Sequence, residues 1–151
     1  MAEAWRIVKA RHAAIAFSGY GAATFGGRWN SPGVKVVYAS ATKSLATLEN
    51  LVHLNPKVVF EYVCLRMEFD DSLVEQIAAS RLPGDWDLHP PSPSTQKIGD
   101  DWVRSERSAV LAVPSAIIPD ELNFLFNPSH PDFKKISIGK PESFTFDSRL
   151  L

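Results

Sequence analysis

The order of strand-like and helix-like segments constrains this chain of 151 residues more than any other feature. Short segments rich in β-branched and aromatic residues occur near both ends, and the helical patterns lie between them. The seven predicted strands are residues 5–10, 34–40, 57–69, 108–113, 123–127, 134–138 and 143–147. Strands at both ends with helices in the middle predict an α+β fold rather than alternating strand–helix units.

Helices are predicted at residues 42–54, 73–81 and 95–107. In the first of them, apolar residues from Leu45 to Val52 recur at the spacing of an amphipathic helix, and Thr42 can cap its start. Glu49 falls beside this apolar stripe, which predicts a carboxylate at the margin of the core. Ser72 and Glu75 have the spacing of a capping box, which favours the second helix.

Composition indicates one domain spanning residues 1–151, with an ordinary globular balance of 45% hydrophobic and 22% charged residues. The sequence has no apolar run of about 18 residues and no signal-peptide core near its start, so we predict a cytoplasmic protein that does not enter a membrane. The single cysteine, Cys64, lies in an apolar run and excludes an intrachain disulfide or a cysteine-based zinc cluster.

The charges are distributed unevenly although they nearly cancel. Residues 1–60 hold seven Lys or Arg and two Asp or Glu, a net charge of +5, whereas residues 61–151 hold nine and fifteen, a net charge of −6. A basic N-terminal part is suited to an anionic ligand, although charge also fluctuates along chains that bind none. The basic residues are scattered and form no stripe, so nucleic acid is not favoured as a ligand.

The glycine-rich segment 11–33 predicts a loop that can approach a ligand closely. Arg28 follows Gly26 and Gly27, and the chain enters a strand within a few residues. A guanidinium fork at such a turn can bind phosphate oxygens in a bidentate manner. The alternative is a surface arginine that merely follows a turn.

Tyr38 and Glu49 are the other two candidates in the N-terminal third. Tyr38 lies on the strand face that also carries Val34 and Val36, which fits either a core aromatic or a ligand contact. Glu49 is either a solvated helix glutamate or a partly desolvated carboxylate. The second reading suits chemistry in which positive charge develops on a sugar carbon.

Other chemistries find little support in the sequence. The four histidines do not have metal-ligand spacing, and no HExxH, CxxC, GxSxG, Walker or GxGxxG motif occurs, so we predict no metal site. Ser115 has no base adjacent in sequence, which favours a turn serine. Asn127 lies in the turn NPSHP and can donate a hydrogen bond.

Taken together, these segments resemble the RES-domain family, the toxin components of bacterial toxin–antitoxin pairs. The resemblance spans nearly the whole chain, and no single segment decides it. It rests on WRI at 5–7, GGRWN at 26–30, VYAS at 37–40, LATLENLVHL at 45–54, VPSAIIPDELNFLFNPSHPDF at 113–133 and FTFDSRL at 144–150.

The resemblance implies an ADP-ribosyltransferase-like fold, with a split, mostly antiparallel sheet around a cleft for NAD⁺. It implies an enzyme that degrades NAD⁺ by cleaving the nicotinamide–ribose bond, with water or phosphate as the acceptor, and thereby arrests growth. NAD⁺ would be the substrate and not a permanently bound cofactor. The alternatives are transfer of ADP-ribose to a host protein and a non-catalytic NAD-binding domain on the same fold.

The resemblance also implies roles for individual residues. Arg28 would grip the phosphates, Tyr38 would pack against the nicotinamide or its ribose, and Glu49 would stabilise the oxocarbenium ion as nicotinamide leaves. Ser115 would hydrogen-bond within the cleft, and Arg6 would be a second phosphate contact. We add Asn127 to the candidate substrate-binding residues.

For partners, the family implies a cognate antitoxin of the helix-turn-helix, Xre type that blocks the cleft. The chain would then contact DNA only through that antitoxin. A homodimer is left open by the sequence.

Overall fold

The computed structural model describes residues 1–55 and 60–151 and confirms the α+β order of elements. The described residues form eight strands: β1 (Ala2–Lys9), β2 (Val37–Ser40), β3 (Tyr62–Phe69), β4 (Val74–Gln76), β5 (Val110–Pro114), β6 (Leu122–Phe126), β7 (Ser137–Ile138) and β8 (Glu142–Phe144). The same part of the chain contains three α-helices: α1 (Tyr20–Phe25), α2 (Lys43–Leu51) and α3 (Pro93–Ser105). No helix among these residues is long and apolar enough to cross a membrane.

The strands form one mostly antiparallel sheet in the order β4-β5-β6-β2-β1-β3-β7, with β8 also pairing with β3. Only β4 and β5 run parallel among the described pairs. Strands β1 and β2 are joined through a single residue pair, Trp5 with Ser40. The sheet is therefore split at this point into two halves, as the sequence resemblance implied.

The sheet bends strongly around one apolar cluster. The ring of Phe69 on β3 lies 5.4 Å from the rings of both Phe124 and Phe126 on β6. In a flat sheet these strands would be about 14 Å apart, because β1 and β2 lie between them and each spacing is about 4.8 Å. The side chains on the concave face thus pack against one another and form the largest core cluster.

The convex face of the sheet carries the two longer helices. Helix α2 packs through Ala46 against Ile7 and Cys64, and the buried position of Cys64 agrees with the packing role expected for it. Helix α3 packs through Trp102 in a cluster that also contains Trp29. The two helices therefore rest on different halves of the sheet.

The predicted helix at 73–81 is wrong. Asp70 accepts a hydrogen bond from the Ser72 amide, so the capping residue lies two positions earlier than a Ser72 capping box requires. The next residues form β4 beside β5, and Glu75 pairs with Arg107 instead of capping a helix. Strand pairing with a distant segment overrides the local helical signal here.

Smaller differences concern the two ends of the chain. The predicted loop 11–33 contains a 3₁₀ turn and helix α1. The first two residues of the predicted strand 134–138 belong to a 3₁₀ turn, and only β7 is strand. Residues 57–59 of the predicted strand 57–69 lie outside the described residues. Residues 62–69 of this prediction form β3, which pairs with strands on both sides as expected for a central strand.

Candidate active site

Glu49 is held by two hydrogen bonds to one of its carboxylate oxygens. Helix α2 starts directly after β2, where the Thr42 side chain accepts a hydrogen bond from the Leu45 amide. The half-buried Glu49 then accepts hydrogen bonds through Oε1 from Ser115 Oγ at 2.7 Å and from Asn123 Nδ2 at 2.8 Å. Its other oxygen, Oε2, has no hydrogen-bond partner among the described residues.

The two donors are themselves oriented by further hydrogen bonds. Ser115 Oγ accepts from the amides of Ile117 and Ile118, both at 3.1 Å, which leaves its O–H to donate to Glu49. Ser40 Oγ donates to Asn123 Oδ1 at 2.7 Å, which turns the amide nitrogen of Asn123 towards Glu49. The carboxylate is therefore fixed by a network that links β2, α2, β6 and the end of β5.

Strand register brings Tyr38 to the same face as this network. Ser40 is opposite Asn123, and Tyr38 is opposite Leu125, in the antiparallel pair of β2 and β6. Residues two apart on a strand point to one face and are about 7 Å apart. Tyr38 and the network around Glu49 are therefore neighbours on the convex face, between α2 and α3.

The Tyr38 hydroxyl is used inside the protein. It donates to Asn30 Oδ1 at 2.6 Å and accepts a hydrogen bond from the Trp29 amide at 3.1 Å. Burial raises the pKa of Tyr38, so the hydroxyl stays protonated at any physiological pH. Tyr38 thus holds the turn that contains Arg28, and its ring, not its hydroxyl, is the part suited to contact a ligand.

Arg28 uses one end of its guanidinium to hold a distant loop. Its Nη1 donates to the carbonyls of Trp86 at 2.9 Å and Leu88 at 2.7 Å. Among the described residues, Nε and Nη2 have no hydrogen-bond partner, and these two nitrogens form the parallel edge that binds phosphate in a bidentate manner. Gly26 has a φ of 74°, a left-handed conformation that favours glycine at the start of this turn.

Arg6 and Asn127 do not contact the network around Glu49. Arg6 donates through Nε to the Ala16 carbonyl at 2.9 Å and through Nη1 to the Tyr38 carbonyl at 2.7 Å. Burial lowers the pKa of Arg6 to about 10, and the side chain remains charged at neutral pH. Asn127 follows the opposite end of β6 from Asn123 and accepts a hydrogen bond from the Ser129 amide within a turn.

Two clefts lie elsewhere on the described surface. One of about 480 Å³ is lined mainly by aromatic and apolar residues and includes the exposed carboxylate of Glu61. The other, of about 200 Å³, includes Glu68, which pairs with Arg66. Neither cleft contains Arg28 or Glu49. The described residues also contain no group of three side chains that could hold a metal ion.

Compared with known protein families, residues 3–147, nearly the whole chain, match the family model of the RES domain. The chain belongs to the RES family. This RES domain is 40% identical over 148 residues to "Toxin Res" of Yersinia enterocolitica, and the alignment covers 97% of each chain. It is 39% identical over 153 residues to the "Prs ADP-ribosylating toxin" of a Sphingobium species, covering 97% of this chain and 95% of that protein.

A solved structure shares the fold of this RES domain at low sequence identity. A chain in the crystal structure of the M. tuberculosis MbcT-MbcA toxin-antitoxin complex superposes with a TM-score of 0.77 and 17% identity. The match covers 95% of this RES domain and 84% of that chain. The split, mostly antiparallel sheet is therefore an architecture that a remote sequence also adopts.

Asn123 and Ser40 are the site residues that sequence reasoning missed. Both are polar residues at the ends of apolar strands, next to Leu122 and Ala39 respectively. That pattern is common at strand ends and does not by itself indicate a role. Only the pairing of β2 with β6 reveals that the two side chains meet beside Glu49.

Proposed function

We propose that this chain is the toxin of a bacterial toxin–antitoxin pair and that it degrades NAD⁺ by cleaving the nicotinamide–ribose bond. The toxin assignment is supported by relatives named "Toxin Res" that are 36% to 40% identical over 97% of the chain. The observation that carries the chemistry is the carboxylate of Glu49, fixed through Oε1 by two hydrogen bonds in a network on the face shared with Tyr38.

The reaction suits a site with a single fixed carboxylate. The bond between nicotinamide nitrogen and ribose carbon breaks, its electron pair leaves with neutral nicotinamide, and positive charge develops on the ribose carbon and ring oxygen. Water then adds with loss of a proton to give ADP-ribose, or phosphate adds to give ADP-ribose phosphate. Because the leaving group is already cationic, little acid catalysis is needed, and electrostatic stabilisation by a prepositioned anion supplies the main rate effect.

The remaining residues would bind and orient the substrate. Arg28 would hold the pyrophosphate through Nε and Nη2, and the ring of Tyr38 would pack against the nicotinamide or its ribose. Ser115 would keep Glu49 in place by donating a hydrogen bond to Oε1. Arg6 would act on the site indirectly, through the Tyr38 carbonyl that it binds.

The direct test is release of nicotinamide from NAD⁺ by the purified protein, measured with and without phosphate. We expect Glu49→Gln to lower kcat by about 10²- to 10³-fold, the loss typical when one electrostatic stabiliser is removed. Asn123→Ala keeps the carboxylate but frees its orientation, and we expect a loss of about tenfold. The proposal is falsified if wild-type protein free of antitoxin releases no nicotinamide under either condition.

Transfer of ADP-ribose to a protein is the second candidate function. It is favoured by the 39% identity to the "Prs ADP-ribosylating toxin" of the Sphingobium species. Labelled NAD⁺ incubated with a bacterial lysate separates the two reactions. A discrete labelled protein that is absent with Glu49→Gln supports transfer, whereas labelled free ADP-ribose or its phosphate supports degradation.

The proposed partner is a cognate antitoxin of the helix-turn-helix, Xre type. It is supported by the shared fold with a chain from a toxin–antitoxin complex. Growth arrest by the expressed chain, relieved when a small DNA-binding protein from the neighbouring reading frame is co-expressed, is the expected result. Copurification of the two proteins would show that the relief is direct.

A further inference from the structure

Helix α3 contacts the turn that contains Arg28 through three residues of one face. Asp100 is 7% exposed and accepts two hydrogen bonds from Ser31, from the amide to Oδ1 at 2.9 Å and from Oγ to Oδ2 at 2.6 Å. Gln96 Nε2 donates to the Gly27 carbonyl at 3.1 Å. Gly99 packs so closely against Trp29 that an added Cβ would lie 1.6 Å from the Trp29 carbonyl oxygen.

The buried carboxylate of Asp100 is directed at one residue of this turn. Burying an ionised carboxylate is unfavourable unless hydrogen bonds replace its water, and bonds to an ionised group are stronger than those between neutral groups. In the described part of the chain Asp100 has no ion-pair partner, and both oxygens bind Ser31. A charged anchor therefore fixes the position of Ser31.

Ser31 and Arg28 belong to the same closed turn. The two residues are three apart, and the turn between them is closed by a 2.9 Å hydrogen bond from the Gly27 amide to the Asn30 carbonyl. Tyr38 holds the same turn from the sheet, through Trp29 and Asn30. The turn is thus held between the sheet and α3, and Asp100 is the charged contact on the helix side.

We propose that Asp100 is a positioning residue for Arg28: it holds the turn of residues 26–31 so that Nε and Nη2 of Arg28 face the phosphates of NAD⁺. The inference rests on the proposed function for the identity of the ligand. It assigns to α3 a role in substrate binding that lies outside the residues contacting the substrate.

The test measures binding of ADP-ribose by calorimetry together with KM and kcat for NAD⁺. We expect Asp100→Ala to weaken ADP-ribose binding by about tenfold, the effect of one charge-assisted hydrogen bond lost from an anchor, and to raise KM by a similar factor. The value of kcat stays within about threefold of wild type, because Glu49 and its network are untouched. Asp101→Ala is the matched control, since Asp101 is exposed and pairs with Lys97 and Arg104.

A double-mutant cycle shows whether Asp100 acts through Arg28. In an Arg28→Ala background, Asp100→Ala should weaken ADP-ribose binding no further, because the guanidinium that it positions is gone. Equal weakening in both backgrounds would mean a general structural role and would overturn the inference. Binding of ADP-ribose to Asp100→Ala as tightly as to wild type would also overturn it.

Folding and the proposed function are controlled separately. If the melting temperature shows that Asp100→Ala does not fold, Ser31→Ala removes only the bond to Oδ2, and the same dependence on Arg28 is expected with an effect of about threefold. Wild-type protein that binds ADP-ribose but releases no nicotinamide from NAD⁺ contradicts the proposed function alone. Wild-type protein that releases nicotinamide but does not bind ADP-ribose contradicts the inference about Asp100 alone.

Discussion

At the scale of single residues, Tyr38 uses the two parts of its side chain differently: the hydroxyl has a structural role, and the ring is the part suited to contact a ligand. The hydroxyl bridges Asn30 and the Trp29 amide, so it fixes the turn that contains Arg28. Arg28 divides its guanidinium in the same way, with Nη1 bound to a loop and its other two nitrogens directed elsewhere. Hydrogen bonds within the protein therefore orient both side chains before any ligand binds.

Removing the Tyr38 hydroxyl should destabilise the protein in a pH-dependent way. Tyr38→Phe leaves Asn30 Oδ1 and the Trp29 amide without this partner, and we expect a loss of about 1–3 kcal/mol in the free energy of unfolding at pH 7. Because burial raises the pKa of Tyr38 above its unfolded value of 10.0, the contribution is complete below pH 10. It decreases as the pH rises further, since the unfolded state then ionises first.

Urea unfolding of wild type and Tyr38→Phe at pH 8 and pH 10.5 measures this effect. The difference in stability between the two proteins should be smaller at the higher pH. Tyr20→Phe is the matched control, because Tyr20 is 58% exposed, and it should unfold like wild type at both pH values. A wild-type advantage over Tyr38→Phe that is independent of pH would contradict the assignment.

At the scale of elements, α2 and α3 differ in how they serve the site. Helix α2 supplies Glu49 itself, on the flank of the apolar stripe that packs it against the sheet. Helix α3 supplies a surface against which the turn of residues 26–31 rests, through Gln96, Gly99 and Asp100. The close approach of α3 to that turn depends on the missing side chain of Gly99.

Gly99→Ala should therefore be strongly destabilising although alanine favours helices. The added methyl group would overlap the Trp29 carbonyl, so α3 or the turn must move, and we expect a loss of about 3 kcal/mol or more in the free energy of unfolding. The control is Gly21→Ala in α1, where an added Cβ has no neighbour within 4 Å. Thermal unfolding of the two variants should show a large decrease for the first and a neutral or small positive change for the second.

At the scale of the whole molecule, the split between β1 and β2 is where the two halves of the sheet meet. The two strands share one residue pair. Arg6 on β1 links them further by donating a hydrogen bond to the Tyr38 carbonyl on β2, and it donates another to the Ala16 carbonyl. Since Tyr38 belongs to the candidate site, Arg6 connects the stability of the split sheet to the geometry of that site.

Arg6→Met keeps the length of the side chain and removes both hydrogen bonds. Two carbonyls lose a charged donor, and we expect the free energy of unfolding to fall by about 2–4 kcal/mol. Arg104→Met is the control, because Arg104 is exposed and forms one surface ion pair, and it should change stability by less than about 0.5 kcal/mol. Chemical denaturation in which the two variants are equally stable would contradict a bridging role for Arg6.

The sequence by itself determined the α+β class, the family, helices α2 and α3 and the segments that carry Arg28, Tyr38 and Glu49. The helices and the site segments depend on local periodicity, capping and turn chemistry, which a short stretch of chain contains completely. The family instead followed from a resemblance of segments spread over nearly the whole chain. The same reasoning failed at residues 73–81, where a helical pattern became a strand because β5 was available to pair with it.

Only the tertiary structure decided which polar residues meet. Ser115 and Asn123 are 66 and 74 residues from Glu49 along the chain, and Asp100 is 69 residues from Ser31. Asn127 and Asn123 are equally plausible donors in sequence, and strand register places Asn123 beside Glu49 and Asn127 at the far end of β6. The reason is physical: a hydrogen bond between distant residues depends on register and helix placement, which are set by packing of the whole chain and not by the residues around either partner.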